Sequence, residues 1–329
     1  MSIKLLVSNN FILLARQLSL IPFLPKTYFA VYFSHNHTYV IVVYCFYLVS
    51  LVSKYLSVNI HNWSVFYHPL MFIILLRLFM FLKQINKSYF DYLKVALGWR
   101  LTDNAGFSWL CGGSLVSEFY VLTAAHCAFS RNAGLVRPEI VRLGELDFTK
   151  DDTELQDIQI QSIIVHPEYK APSKYHDIAL LRLATPAKLT NFVRPVCLWQ
   201  NETMEQTFAK AIGWGRTSHA GSGSVTLQSV DLSFFTNQKC RERFGVTRTM
   251  KKGVIPQQLC AGNSDGGKDT CTGDSGGPLS INLPTKRLLD CIHHQVGITS
   301  FGIGCGSTLP AVYTRVSQYL DWIERVVWP

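Results

Sequence analysis

The stretch Cys260-Ala-Gly-Asn-Ser-Asp-Gly-Gly-Lys-Asp-Thr-Cys-Thr-Gly-Asp-Ser-Gly-Gly-Pro278 decides how this chain folds. Its last six residues place Ser275 in a run of glycines, Gly273-Asp-Ser-Gly-Gly-Pro278, suited to a tight backbone turn. A serine hydroxyl is a weak nucleophile and needs an adjacent base. Upstream, Thr123-Ala-Ala-His-Cys127 offers His126, and Asp177-Ile-Ala-Leu-Leu181 offers Asp177. The chain order is His, then Asp, then Ser. That order separates one way of building a Ser-His-Asp constellation from two others known on unrelated folds.

Outward from these motifs, from about Lys94 onward, short apolar runs alternate with Gly, Pro, Asn and Asp. Gly113 to Ala125, Ile158 to Val165, Ala179 to Leu183 and Val296 to Phe301 read as strands, which makes the fold class all-β. Val316 to Val327 carries Leu320, Ile323 and Val327 on one face, predicting a closing helix with Ser317 as its N-cap. All 22 Gly lie at Gly98 or later, and eight of the nine Cys fall between Cys111 and Cys305. So many Cys in a Gly-rich β domain imply disulfides and a secreted or lumenal setting.

Residues 1–90 differ sharply. They hold no Gly, Asp or Glu, where about six Gly would be ordinary at a usage near 7%. Their five Lys and two Arg supply +7 of the chain's net charge of +9. The remainder is close to neutral, so the basic balance does not argue for a nucleic-acid partner. Tyr39 to Ser53 and Phe66 to Leu82, the latter interrupted by Arg77, are long apolar stretches. Two readings stand for residues 1–93: a membrane anchor, since about 20 apolar residues can cross a bilayer, or a wrongly joined stretch that is no natural module. A membrane partner follows only on the first. Residues 94–329 read as a separate domain.

Residues 94–329 resemble the trypsin/chymotrypsin family of serine proteases. Within it they resemble the arthropod clip-domain proteases of the snake and easter type, through the Cys260–Pro278 run and the ending Val312-Tyr-Thr-Arg-Val-Ser-Gln-Tyr-Leu-Asp-Trp-Ile-Glu324. The clip domain itself has no counterpart in this sequence. The resemblance implies two six-stranded antiparallel β-barrels with the active site between them. It implies His126 as general base and acid, Asp177 as its orienting partner and Ser275 as nucleophile. The N–H groups of Gly273 and Ser275 would face the developing oxyanion, a contribution of about 3–4 kcal/mol per donor in one well-studied protease.

Further roles follow only from the resemblance. Asp269, six residues before Ser275, would lie at the bottom of the primary specificity pocket and pair with Arg or Lys of a substrate. Ser300 would hydrogen-bond Asp177, and the Ser300–Gly302 backbone would pair with substrate as a strand. Gly302 matches one pocket-wall glycine. The other wall position, commonly Gly, is Ala311, whose methyl would tighten the pocket by about 1–3 kcal/mol between substrates. Disulfides Cys111–Cys127, Cys240–Cys260 and Cys271–Cys305 are implied, leaving Cys45, Cys197 and Cys291 open. The acidic loop bracketed by Glu145 and Glu154, with Asp147, Asp151 and Asp152, resembles a calcium-binding loop. Calcium there would be structural, and no catalytic metal or cofactor is expected. Asn201-Glu-Thr203 is a glycosylation acceptor.

The activating sequence of the family, Ile-Val-Gly-Gly-like after a basic cleavage site, provides an ammonium that pairs with the acid beside the nucleophile, here Asp274. It is expected about 14 residues upstream of Val95. Lys83 to Lys94 contains no Gly and nothing resembling that motif. Asp274 is therefore expected to be a buried carboxylate without a partner, a costly arrangement. Two functions remain in view. One is a secreted, zymogen-type serine endopeptidase acting after Arg or Lys, with protein substrates and protease inhibitors as partners. The other is a non-catalytic or never-activated protein of the same fold, membrane-anchored in one version. A complete triad together with Asp269 favours the first.

Overall fold

The computed structural model describes residues 4–8, 11–15, 94–101, 106–129, 137–150, 154–216, 221–267, 269–283 and 293–329. Tyr39 to Ser53, Phe66 to Leu82, Asp151, Asp152, Cys45 and Cys291 lie outside them. The chain divides into two compact units, Met1–Phe79 and Met80–Pro329. In the first, β1 (Lys4–Ser8) and β2 (Phe11–Ala15) form an antiparallel hairpin. Among the described residues no helix is long and apolar enough to cross a membrane.

The second unit contains two closed six-stranded antiparallel barrels, as the resemblance implied. The first is built from β3 (Val95–Arg100), β4 (Phe107–Ser117), β5 (Tyr120–Thr123), β6 (Ile140–Leu143), β7 (Gln156–Val165) and β8 (Ala179–Leu183), in the order β3-β4-β5-β8-β7-β6. The apolar run Gly113 to Ala125 thus holds two strands, turned at Glu118 and Phe119 so that Leu115 pairs with Val121. The side chains of Leu97, Val121, Leu122, Leu180 and Leu181 are fully buried and fill this barrel. Burying each aliphatic side chain contributes about 1.5–3 kcal/mol.

The second barrel comprises β10 (Phe208–Gly213), β11 (Gln228–Phe235), β12 (Gln258–Gly262), β13 (Pro278–Asn282), β14 (His293–Phe301) and β15 (Ala311–Arg315). Pairing of β13 with both β10 and β14 closes it, and the short β9 (Cys197–Leu198) adds parallel to β14. Its core is Leu232, Leu259, Leu279, Ile281, Val296 and Tyr313. A further helix, α1 (Asn237–Phe244), sits between β11 and β12. Thr236 caps it by accepting from the Lys239 N–H, and Gly245 ends it at φ 63°, the two signals that could have found it.

The closing helix starts later than its pattern suggested. Val316–Gln318 forms a 3-10 turn, and α2 runs Leu320–Val327. Ser317 does not cap it. Its Oγ is buried without a hydrogen-bond partner among the described residues, and Tyr319 stands at the cap position. The apolar stripe decides the placement: Tyr319, Ile323 and Val327, spaced by four, pack onto the first barrel's core.

Candidate active site

Each triad residue sits where a strand ends. His126 occupies the 3-10 turn Ala125–Ala128 just after β5, and Asp177 immediately precedes Ile178 and β8. β5 and β8 are paired, with Thr123 opposite Ala179, so the ladder itself brings the two residues together. Asp177 Oδ1 accepts from the His126 backbone N–H at 2.9 Å, and Oδ2 lies 2.8 Å from His126 Nδ1. Ser300 Oγ donates to Oδ2 at 2.5 Å, and Thr314 Oγ1 donates to the Asp177 carbonyl at 2.8 Å. Burial alone would raise the buried Asp177 carboxyl. The His126 charge and hydrogen bond, with those from Ser300 and the His126 amide, instead hold it below the usual carboxylate range. His176 takes φ 54°, a left-handed conformation that costs a non-Gly residue strain beside this site.

Ser275 comes from the second barrel, in the turn between β12 and β13. Its carbonyl accepts from the Gly112 N–H at 2.7 Å. Gly276, at φ 76°, approaches so closely that a methyl there would stand 2.5 Å from the Gly112 carbonyl and 3.2 Å from the Ala124 amide. The Ser275 turn is therefore docked two residues from His126. The Cys111–Cys127 disulfide fastens the His126 turn to β4. Among the described residues Ser275 Oγ and His126 Nε2 are not hydrogen-bonded. Gly273, at φ 102°, adopts a conformation open to glycine, and among the described residues neither its N–H nor that of Ser275 donates to a backbone carbonyl.

Asp269 stands in the same turn region. Oδ1 accepts from the Thr270 N–H at 2.8 Å, while Oδ2 is buried and has no hydrogen-bond partner among the described residues. Burial pushes this carboxyl up to about 7, the Asp274 charge adding to the rise and the Thr270 amide opposing it. Gly302 and Ala311 face each other: a methyl on Gly302 would lie 3.6 Å from the Ala311 Cβ. Cys271–Cys305 and Cys240–Cys260 are formed as the resemblance implied. Cys197 is disulfide-bonded as well, its partner lying outside the described residues.

The expectation for Asp274 is overturned. Its carboxylate has a cationic partner, Lys94 Nζ at 3.3 Å, and the Lys94 side chain is 0% exposed. Asp274 also accepts from the Gly215 N–H and the Cys271 N–H, both at 3.0 Å. Lys94 carried no sign of this role in the sequence, because burial of a lysine is set by the packing of two barrels and not by local pattern.

In the acidic loop, Glu145 accepts from the Asp147 N–H at 2.8 Å and from Arg142 at 3.4 Å. Asp147 pairs with Lys150 at 2.7 Å, and that bond with those from Thr149 holds its carboxyl down at about 2. Glu154 keeps a buried Oε2 without a partner among the described residues. These donors suit a hard cation only in part, since Arg142 and Lys150 already occupy oxygens a calcium ion would need.

Comparison with known sequences places these observations. The family profile described as Trypsin matches residues 95–323. Serine protease snk of Drosophila melanogaster is 45% identical over 239 residues, covering 71% of this chain and 53% of that protein. Serine protease Hayan of the same organism is 37% identical over 254 residues, covering 75% of this chain and 38% of that protein. Venom serine protease Bi-VSP of Bombus ignitus is 38% identical over 236 residues, covering 69% and 62%. The chain thus spans about half the length of the curated relatives it matches.

Proposed function

Because the chain belongs to the trypsin family of serine proteases, we propose that it is an endopeptidase that hydrolyses peptide bonds after Arg or Lys, acting outside the cell on protein substrates. The observation that carries this reading is the joint geometry of His126, Asp177 and Ser300 around one buried carboxylate, with the Ser275 turn docked beside it. Ser275 Oγ attacks the carbonyl carbon of the scissile bond while its proton passes to His126 Nε2. The N–H groups of Gly273 and Ser275 receive the oxyanion. His126 then returns the proton to the leaving amine. Water, deprotonated by the same imidazole, releases the acyl group from Ser275. A cascade role among such proteases, with protease inhibitors as further partners, belongs to the same reading. Calcium, where bound, would be structural, with Glu145 and Glu154 at its loop, and would have to displace Arg142 from Glu145 and Lys150 from Asp147.

Asp269 gives this reading a test with a fixed sign. Its free carboxyl is protonated below about pH 7. A guanidinium or ammonium entering the pocket binds the ionised form. With chromogenic peptides, kcat/KM for a P1 Arg or Lys substrate is expected to rise as pH increases through about 7. For an uncharged P1 residue only the rise common to every substrate, set by the general base His126, should remain, and this additional step should be absent. Asp269→Asn should remove the step and lower kcat/KM for Arg by about 30-fold to several thousand-fold, the range for truncating one partner of a buried charge pair. Equal hydrolysis of charged and uncharged P1 peptides would remove Asp269 from the pocket.

The Ala311 methyl narrows the same space. Ala311→Gly is expected to shift the Arg-to-Lys ratio of kcat/KM towards the bulkier Arg by about tenfold, one methyl's worth of discrimination. An unchanged ratio in paired assays of the two substrates would mean that this methyl does not meet the substrate side chain.

A further inference from the structure

We propose that Lys94 is an internal activating cation: its ammonium occupies the position at Asp274 that a cleavage-generated N-terminus takes in the family, so that the chain cleaves substrate without itself being cut. This rests on the endopeptidase reading above.

The local construction accommodates a buried lysine. Lys94 stands at the head of β3, and its side chain runs through a channel floored by glycine. A methyl on Gly112 would fall 2.5 Å from Lys94 Cε, and one on Gly277 would fall 3.4 Å from it. A methyl on Gly213 would collide with both Lys94 Nζ and the Asp274 carboxylate. Nζ ends 3.3 Å from Asp274 Oδ1 and 5.2 Å from the centre of the Trp214 ring, a position in which the ring face also favours a cation. Burial lowers the Lys94 pKa, and the charge and hydrogen bond of Asp274 oppose that shift.

What the pair holds in place is the catalytic turn. Asp274 is anchored at three points: Lys94, the Gly215 N–H and the Cys271 N–H. Its backbone closes the turn through Asp274 N–H to Cys271 O and Gly277 N–H to Asp274 O, both 2.9 Å. Gly273 and Ser275, the oxyanion donors, flank it directly. Removing the cation leaves a buried carboxylate with no opposite charge, which favours swinging Asp274 out and taking Gly273 with it. Lys94 acts through Asp274 and is a positioning residue.

A second route reaches the same carboxylate. A cavity of about 460 Å³, lined by Gly213, Gly215, Asp269, Cys271 and Asp274, opens onto it. An external peptide ammonium could enter there, but in the wild-type chain it would find Asp274 already neutralised. This makes the proposal separable from the reading on which it rests.

The experiment uses the full chain, with intact mass checked before and after assay. Amidolysis of a P1 Arg peptide is measured with and without the dipeptide Ile-Val at millimolar concentration, for wild type, Lys94→Met and Lys94→Arg. Melting curves accompany each protein. The uncut wild type is expected to be active and indifferent to the dipeptide. Lys94→Met should lose about 10²–10³ in kcat, the loss seen when an oxyanion donor is removed, with KM less affected. Ile-Val should restore much of that loss, and Lys94→Arg should retain part of the activity. Rescue by a free ammonium is a response that a merely structural lysine would not give. An uncut wild type that is silent alone and active with Ile-Val overturns the role of Lys94 and leaves the endopeptidase reading standing. Full activity of Lys94→Met also overturns it. Silence of the wild type under both conditions overturns both.

Discussion

Ser275→Ala will lower kcat by about 10⁶-fold while leaving the fold intact, on the scale measured when the nucleophile of a different serine protease is removed. The expected effect is confined to chemistry because the turn does not depend on the hydroxyl. The main-chain carbonyl of Ser275 accepts from Gly112, Gly276 N–H bonds to Thr299, and Gly277 N–H bonds to Asp274. None of these involves Oγ. The melting temperature should therefore move little, as for substitutions that break no packing or network. Substrate binding should survive too, since Asp269, Gly302 and the Ser300–Gly302 backbone are untouched. Residual hydrolysis above water's own rate is expected, because the oxyanion donors and binding sites remain. Stopped turnover with retained binding of a P1 Arg peptide, measured by calorimetry, is the signature. Retained turnover would place the nucleophile elsewhere.

Asp177→Asn will cost about 10⁴ in kcat at neutral pH, the size of effect known for a wrong histidine tautomer, and the hydrogen bonds here show why. Oδ1 accepts from the His126 backbone N–H, which can only donate. An Asn must therefore place its carbonyl oxygen there and its NH₂ where Oδ2 was. That NH₂ then faces His126 Nδ1 and Ser300 Oγ, both donors in the native arrangement. The imidazole is driven to accept at Nδ1 and carry its proton on Nε2, and a protonated Nε2 cannot take a proton from Ser275. The stability consequence also has a definite sign. Asp177 has a folded pKa below its unfolded value, so its contribution is present above the unfolded pKa and lost as pH falls through the folded one. The Asn variant should lack that component of acid destabilisation. Activity at neutral pH within tenfold of wild type would contradict the orienting role.

The meeting of His126 and Asp177 was legible because they lie in short motifs whose spacing survives translation into strands. Thr123 and Ala179 are ladder partners, so two motifs 51 positions apart meet by register alone. The three disulfides were legible through resemblance, which also paired Gly302 with Ala311, two residues that do lie side by side. What escaped were features made by tertiary packing. Nothing around Lys94 marks it as buried, since lysine is among the residues most often found on surfaces. Only when β3 lies beside β4 and the Ser275 turn docks on Gly112 does its side chain reach Asp274. Ser317 failed as a cap for a related reason: the stripe Tyr319, Ile323 and Val327 settled on the first barrel and moved the helix start past it. The ion pairs of Arg142 with Glu145 and of Lys150 with Asp147 were likewise not legible, since they form only when the acidic loop folds back on itself.

The central claim is tested most directly by mapping the bonds this protein cuts. A denatured proteome digest incubated with the purified chain, and separately with Ser275→Ala, yields new peptide termini by mass spectrometry. The account predicts termini that follow Arg or Lys almost without exception and that are absent from the Ser275→Ala sample. Cleavage after uncharged residues, or identical termini in both samples, would contradict it.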